Sequence, residues 1–195
     1  LCLWGEEMST SEFNAEINKI HSDDINIIMG QCFSGGFVEP LNKVGRVITT
    51  ACEADEVSWV HNSLYDEFVY HWTAAVYGED PYGNPVNADS NNDGYVTMAE
   101  AYNYATTHDE MPEHPNFVSN KSYLGQFTTL LGMQPCNTIH IQNQNITTNS
   151  GVLGCKVQVS NTSITNGASY WILTASETTI TQGFKVELGS SLKIQ

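Results

Sequence analysis

Basic residues are scarce in this chain. Seven lysines and arginines stand against 22 acidic side chains in 195 residues, a formal charge of −15. Binding to nucleic acid draws on cationic side chains that displace counterions from phosphates. A nucleic-acid partner is therefore excluded, and attraction to an anionic membrane surface with it. Long apolar runs are missing too. None approaches the ~20 residues of a membrane-spanning helix, so no membrane span is expected. Five cysteines occur, Cys2, Cys32, Cys52, Cys136 and Cys155, without a CxxC pair among them. Scattered and odd in number, they make neither a disulfide framework nor a zinc pattern, and at least one thiol stays free if the others pair within the chain. The sequence leaves open whether Cys136 and Cys155 pair. No signal peptide is visible, but the first residue is Leu1 and the chain opens inside the apolar run LCLW. A domain rarely starts in mid-strand, so further residues are expected upstream. The missing signal peptide then says nothing about compartment.

What is present suffices for one or two packed domains, with 41% hydrophobic residues. Leu1 to Trp4 reads as a strand and Met8 to Ile20 as a helix. Ser9 and Glu12 form a capping box, Met8 and Phe13 a hydrophobic staple, and Phe13, Ile17 and Ile20 one apolar face. Ile25 to Met29 is a second strand, so a βαβ unit with parallel pairing is expected. A short helix over Phe37 to Leu41 stops at Pro40. Arg46 to Ala51 is a β-branched strand, and Leu64 to Val76 an aromatic helix. A long polar loop from Gly78 to Asn92 precedes a helix over Thr97 to Thr107, capped by Thr97 and Glu100. Phe127 to Leu131 is expected as the last strand of this part. From about Asn137 threonine, asparagine, serine and isoleucine dominate. A loose repeat runs NQNITTNS, NTSITNGA, ETTITQGF, with Ile146, Ile164 and Ile180 spaced 18 and 16 residues apart. Such spacing predicts stacked β rungs or a small sandwich, and FKVELGSSLKI alternates like an exposed strand pair.

Two stretches carry chemistry. In INIIMGQCFSGG the strand ends at Gly30, and Cys32 follows among glycines. A thiol at the carboxyl end of a buried strand is where an open α/β sheet places its reactive groups. A phosphatase loop would need an arginine where Val38 stands, and a hydrolase elbow would need glycine where Ser34 stands. The second stretch is Asp89 to Glu100, DSNNDGYVTMAE. It fits the EF-hand loop at every fixed position: Asp89, Asn91, Asp93, the turn glycine Gly94, and Glu100 at the end, with the Tyr95 carbonyl and Thr97 between them. At average residue frequencies a chance match is on the order of one in a thousand. Pro81, Gly83 and Pro85 forbid the usual entering helix. The expectation is an EF-hand-like loop holding a structural Ca2+ with only its exiting helix.

Gln31-Cys32 with Ser34-Gly35-Gly36, followed by RVITTACEADEVSW, resembles the caspase–legumain clan of cysteine peptidases, and most closely its legumain-like branch and bacterial relatives. There the nucleophile strand ends in a Cys-x-Ser-Gly run and the next strand reads TTA, here Thr49-Thr50-Ala51. The resemblance covers about residues 1 to 130. It implies that Cys32 is the nucleophile and that its amide is one oxyanion donor. It places the base on a histidine in a His-Gly turn roughly 40 to 50 residues before the cysteine, which falls upstream of Leu1. His21, His61, His71, His108, His114 and His140 do not stand in such a turn. It also implies a substrate pocket built partly from the loop after the TTA strand, pointing to Cys52, Glu53, Asp55, Ser58 and Trp59. Acidic residues there suit a basic side chain before the cleaved bond.

The expected fold class is thus α/β. A partial caspase-like, mostly parallel sheet with flanking helices spans residues 1–135, and a small all-β module follows over 136–195. The expected function is a calcium-stabilised cysteine endopeptidase domain acting on a peptide or protein substrate, with an upstream segment carrying the histidine. The alternative is a catalytically incomplete, calcium-stabilised binding or surface module. Acidity, the calcium loop and a likeness of the β module to carboxyl-terminal segments of secreted bacterial proteins favour an extracellular or periplasmic setting.

Overall fold

The computed structural model describes all residues except 1, 4, 5, 23, 121–123, 131 and 134–137. The chain divides into two units, Leu1–Gln134 and Pro135–Gln195.

The first unit is mixed α/β. Its sheet has three strands, β1 (Ile25–Met29), β2 (Arg46–Thr50) and β3 (Asn116–Asn120), with β2 in the middle. β1 and β2 run parallel, Ile25 opposite Arg46 and Met29 opposite Thr50. β3 runs antiparallel to β2. All five residues of β2 are buried, as a strand covered on both faces requires. Alternate residues serve opposite layers. Ile27, Met29 and Ile48 pack with Phe37 and Leu41, backed by Phe13 and Ile17 of helix α1 (Thr10–Ile17). Val47 and Ile28 face the other layer, where Phe68 and Trp72 of α3 (Glu67–Tyr77) meet Met98 and Ala101 of α4 (Met98–His108). The fully buried Phe68 contributes about 1.5–3 kcal/mol relative to an exposed position. Ser9 and Glu12 form the capping box of α1, and Thr97 and Glu100 that of α4. Buried Arg46 ties α1 to β2, donating to Asn18 Oδ1 at 2.8 Å and to the Leu41 carbonyl at 3.0 Å. A 3-10 turn over Ser34–Phe37 precedes the short α2 (Val38–Leu41).

Three elements differ from the sequence reading. Cys2–Leu3 pairs antiparallel with Glu6–Glu7 rather than joining the sheet, so the parallel pair is the next one along the chain. Asn116–Asn120 supplies the third strand directly after Pro115, whereas Phe127 to Leu131 contributes just Thr128–Thr129, paired with Gly132–Met133. The aromatic helix begins at Glu67, because a hairpin of Val60–His61 and Tyr65–Asp66 comes first. Its turn places Asn62 and Ser63 at φ 49 and 61, the left-handed geometry of a tight hairpin.

The elements described between 138 and 195 are strands forming two parallel ladders. One runs in the order Thr138–Gln142, Ser150–Ser160, Ser169–Ile180, Ser191–Ile194, and the other Asn145–Ile146, Ser163–Ile164, Lys185–Val186. Ile146 stacks on Ile164 and Ile164 on Val186. Ile180 instead lies opposite Val159 in the first ladder, so the third member of the isoleucine series stands in another row. Lys185–Val186 and Ser191–Ile194 likewise belong to separate ladders and are not a strand pair. Cys155 is disulfide-bonded, and Cys136 lies outside the described residues.

Candidate functional site

Cys32 sits on the turn that follows β1, at the carboxyl rim of the parallel pair. Its side chain is exposed and free, and Cys52 is free but buried. The next residue, Phe33, takes the left-handed conformation at φ 61, which costs an L-residue of this size about 1–2 kcal/mol. Phe33 is held there by its N–H, which donates to the Glu56 carbonyl at 2.7 Å. The amide of Cys32 itself meets no acceptor among the described residues.

The loop after β2 wraps this turn. Cys52 donates its backbone N–H to Ser34 Oγ at 3.3 Å, and its thiol lies 3.4 Å from the Glu56 carbonyl and 3.6 Å from that of Gln31. Gly35 is pressed onto the loop so closely that a Cβ there would lie 2.7 Å from Ala54 N and 2.8 Å from Cys52 O. The carbonyl of Ser58 faces the Cys32 thiol at 3.8 Å. Of the residues implicated in the pocket, Ser58 therefore stands at the thiol's wall, while Glu53, Asp55 and Trp59 are exposed and Cys52 is buried beneath the loop. No histidine among the described residues hydrogen-bonds Cys32. His114 instead pairs with Glu56 through Nδ1 at 2.5 Å. Glu56 is held below the usual carboxylate range, first by the Glu53 amide and also by His114.

Carboxylates that the sequence did not single out brace that wall. Asp66 caps α3, accepting from the Val69 N–H at 2.8 Å, and its other oxygen accepts from Ser58 Oγ at 2.6 Å. Glu113 accepts from the Trp59 N–H at 2.9 Å. Burial raises the carboxyls of Asp66 and Asp109 above their usual range, and burial with Asp109 nearby pushes Glu113 up to about 8. Asp109 Oδ2 and Glu113 Oε1 are buried and find no hydrogen-bond partner among the described residues.

A pH dependence follows from this pair. Burial pushes the Glu113 carboxyl up to about 8 in the folded chain, whereas the unfolded chain releases that proton near the ordinary glutamate value of 4.5. Between those values the folded state binds more protons, so stability is fully present below the lower one and is lost as pH rises toward the upper one. Denaturant unfolding is expected to show stability falling across that window, by less than the about 1.4 kcal/mol per pH unit of one fully linked proton, because solvent screens the group in part. Glu113→Gln is expected to flatten the slope. An unchanged slope in that variant would show that Glu113 ionises normally.

The second site is the loop from Asp89 to Glu100. Asp89, Asn91 and Asp93 fold their side chains inward over the loop's own amides, with Gly94 N–H 2.8 Å from Asp89 Oδ2 and Asp93 N–H 2.8 Å from Asn91 Oδ1. Gly94 has φ 89, a turn that a side chain would strain. Tyr95 is exposed there, Thr97 caps α4, and buried Glu100 crosses the loop to accept from both Ser90 and Thr97. Asn91, Asp93, Thr97 and Glu100 line part of a cavity of ≈ 370 Å³. The donors are the hard oxygens that calcium takes, but here they are engaged by the loop's own N–H and hydroxyl groups, and among the described residues Asp89, Asp93 and Glu100 do not gather into one metal-sized cluster.

A third cluster, His61, Glu67 and His71, joins the hairpin to α3. The spacing of Glu67 and His71 on a helix was a readable signal; their meeting with His61 was not. Comparison of the chain with protein-family models, curated proteins and solved structures finds no match.

Proposed function

We propose that the first unit is the nucleophile-bearing part of a cysteine peptidase of the caspase–legumain type. The observation that carries this reading is the exposed Cys32 thiol on a strained turn at the rim of a parallel strand pair, with an unengaged backbone amide beside it. In this reading the Cys32 sulfur attacks the carbonyl carbon of a peptide bond. A C–S bond forms, and the π electrons move to the oxygen, which the Cys32 N–H stabilises. Collapse of that intermediate breaks the C–N bond, and the departing nitrogen takes from a histidine the proton that the histidine had accepted from the Cys32 thiol. Water then hydrolyses the thioester. The histidine belongs to a segment outside these 195 residues, as the resemblance implies. The exposed Glu53 and Asp55 on the neighbouring loop favour a basic side chain on the acyl side of the cleaved bond.

The loop from Asp89 to Glu100 takes Ca2+ in a structural role. Together with the acidic surface, this supports an extracellular or periplasmic setting. Sites of such modules bind with Kd on the order of 10⁻⁴–10⁻³ M. Ten millimolar Ca2+ is then expected to stabilise the fold by roughly 1.4–2.7 kcal/mol, measured by thermal unfolding, and Asp89→Ala is expected to remove the gain. A gain that survives Asp89→Ala would place the ion elsewhere.

The peptidase reading is tested with fluorogenic peptides varied at the residue before the scissile bond, using the chain together with its histidine-bearing segment and the Cys32→Ala variant of the same protein. Cleavage after Arg or Lys that disappears in the variant supports it. No cleavage of any peptide, with Cys32 no more reactive than an ordinary thiol, favours the calcium-stabilised binding module.

A further inference from the structure

We propose that His61 Nδ1, the Glu67 carboxylate and His71 Nε2 form a binding site for a divalent transition-metal ion of the zinc class. The inference stands apart from the chemistry of Cys32 and from the calcium loop. Its geometry comes from two elements. Glu67 and His71 are four residues apart on α3 and so share one helix face, with His71 Nε2 3.2 Å from Glu67 Oε1. The tight turn of the preceding hairpin swings His61 back over that face, with Nδ1 2.7 Å from Glu67 Oε2. The three donor atoms all lie within 4.8 Å of one another. A tetrahedral zinc ion with bonds of about 2.0–2.1 Å needs its ligand atoms roughly 3.3 Å apart, so small side-chain rotations complete the triangle.

Charge supplies the second argument. The Glu67 side chain is 3% exposed, and among the described residues no lysine or arginine pairs with it. A buried carboxylate is costly without compensation, and this chain has only seven Lys and Arg residues. A divalent ion would provide the missing charge where the imidazoles of His61 and His71 converge on this carboxylate. Two histidines and a glutamate are nitrogen and oxygen donors of the kind zinc accepts, unlike the all-oxygen set of the calcium loop. The histidine side chains remain 21% and 15% exposed, leaving a fourth position open to water or an outside ligand.

The surroundings orient the rings. Tyr70 stacks on His61 at 4.1 Å with the planes 11° apart. The Asn62 amide lies 2.8 Å from His61 Nε2. With metal on Nδ1 the proton of His61 resides on Nε2, and the Asn62 amide turned over accepts it through its oxygen, a hydrogen bond that typically fixes a metal-bound imidazole. The Glu67 N–H donates to the Trp59 carbonyl at 3.0 Å. The ion would therefore staple the loop that faces Cys32 to the first turn of α3.

The test is Co2+ titration of the full chain followed by visible absorption, after alkylation of accessible thiols to remove Cys32 as a ligand. One equivalent of Co2+ is expected to give the intense bands of four-coordinate nitrogen–oxygen ligation. Stoichiometric Zn2+ should displace it, and millimolar Ca2+ should leave it untouched. His61→Asn, at the partly exposed edge, and His71→Asn are each expected to weaken binding at least tenfold with the far-UV circular dichroism unchanged. Should His71→Asn unfold, His61→Asn decides alone. Binding that is equal in wild type and His61→Asn, or only the faint spectrum of six-coordinate Co2+, overturns the proposal.

Discussion

With the histidine-bearing segment present, Cys32→Ala is expected to reduce peptide hydrolysis by on the order of 10⁴-fold or more, because removing the nucleophile of a unit that acts together forfeits nearly all of its acceleration. The same change is expected to leave stability within about 0.5 kcal/mol, since an exposed side chain is removed. Its single hydrogen-bond contact among the described residues is a long one, 3.8 Å to the Ser58 carbonyl. Cys52 provides the contrast. Its thiol is buried between two carbonyls, so Cys52→Ala removes packing under the loop and its first effect is on stability. The pair of variants, read by hydrolysis and by denaturant unfolding, separates a chemical thiol from a structural one. Equal losses of activity with equal losses of stability would remove the distinction.

Gly35→Ala carries the second large effect. The added Cβ would lie 2.7 Å from Ala54 N and Glu53 C and 2.8 Å from Cys52 O. All three are backbone atoms, which cannot rotate away as a side chain would. Either the Cys32 turn or the Cys52 loop has to move, at a cost of about 2–3 kcal/mol for this kind of overpacking. Activity should fall with it, because the shifted loop is the one that faces the thiol. Gly36 is the internal control: its nearest neighbour to an added Cβ is 3.9 Å away, and Gly36→Ala is expected to cost less than about 0.5 kcal/mol. Urea unfolding of both variants checks the difference. Equal costs would mean that the two loops are not interlocked.

Much of this arrangement can be read from local sequence. β1, β2, the capping boxes at Ser9 and Thr97 and the loop at Asp89 rest on alternation, capping pairs and ligand spacing, all of which act over a few residues. The parallel pairing of β1 with β2 follows from the connection between them, which is too long for a hairpin. Other features rest on distant partners. Asn116–Asn120 follows two prolines and lacks a strongly apolar pattern, and it becomes a strand because β2 offers it an open edge. Glu113 reads as a solvated acid next to proline, yet it lies beneath Trp59, 54 residues away in sequence. His61 looks like part of a helix until Asn62 and Ser63 adopt positive φ and turn the chain back. In the second unit the repeat was visible, but its rows were not, because a register shift between Gly154 and Lys156 breaks a simple count along the chain.

The central claim is that Cys32 is an activated nucleophile. The most direct test is iodoacetamide labelling of the chain together with its histidine-bearing segment at mildly acidic pH, with and without Ca2+, followed by intact-mass analysis and mapping of the modified residue. An ordinary thiol is almost entirely protonated under those conditions and reacts slowly, because the thiolate is the nucleophile. Fast and selective alkylation of Cys32 is the predicted result. Slow labelling of Cys32, at the rate of a simple thiol and in step with any other accessible cysteine, would contradict it.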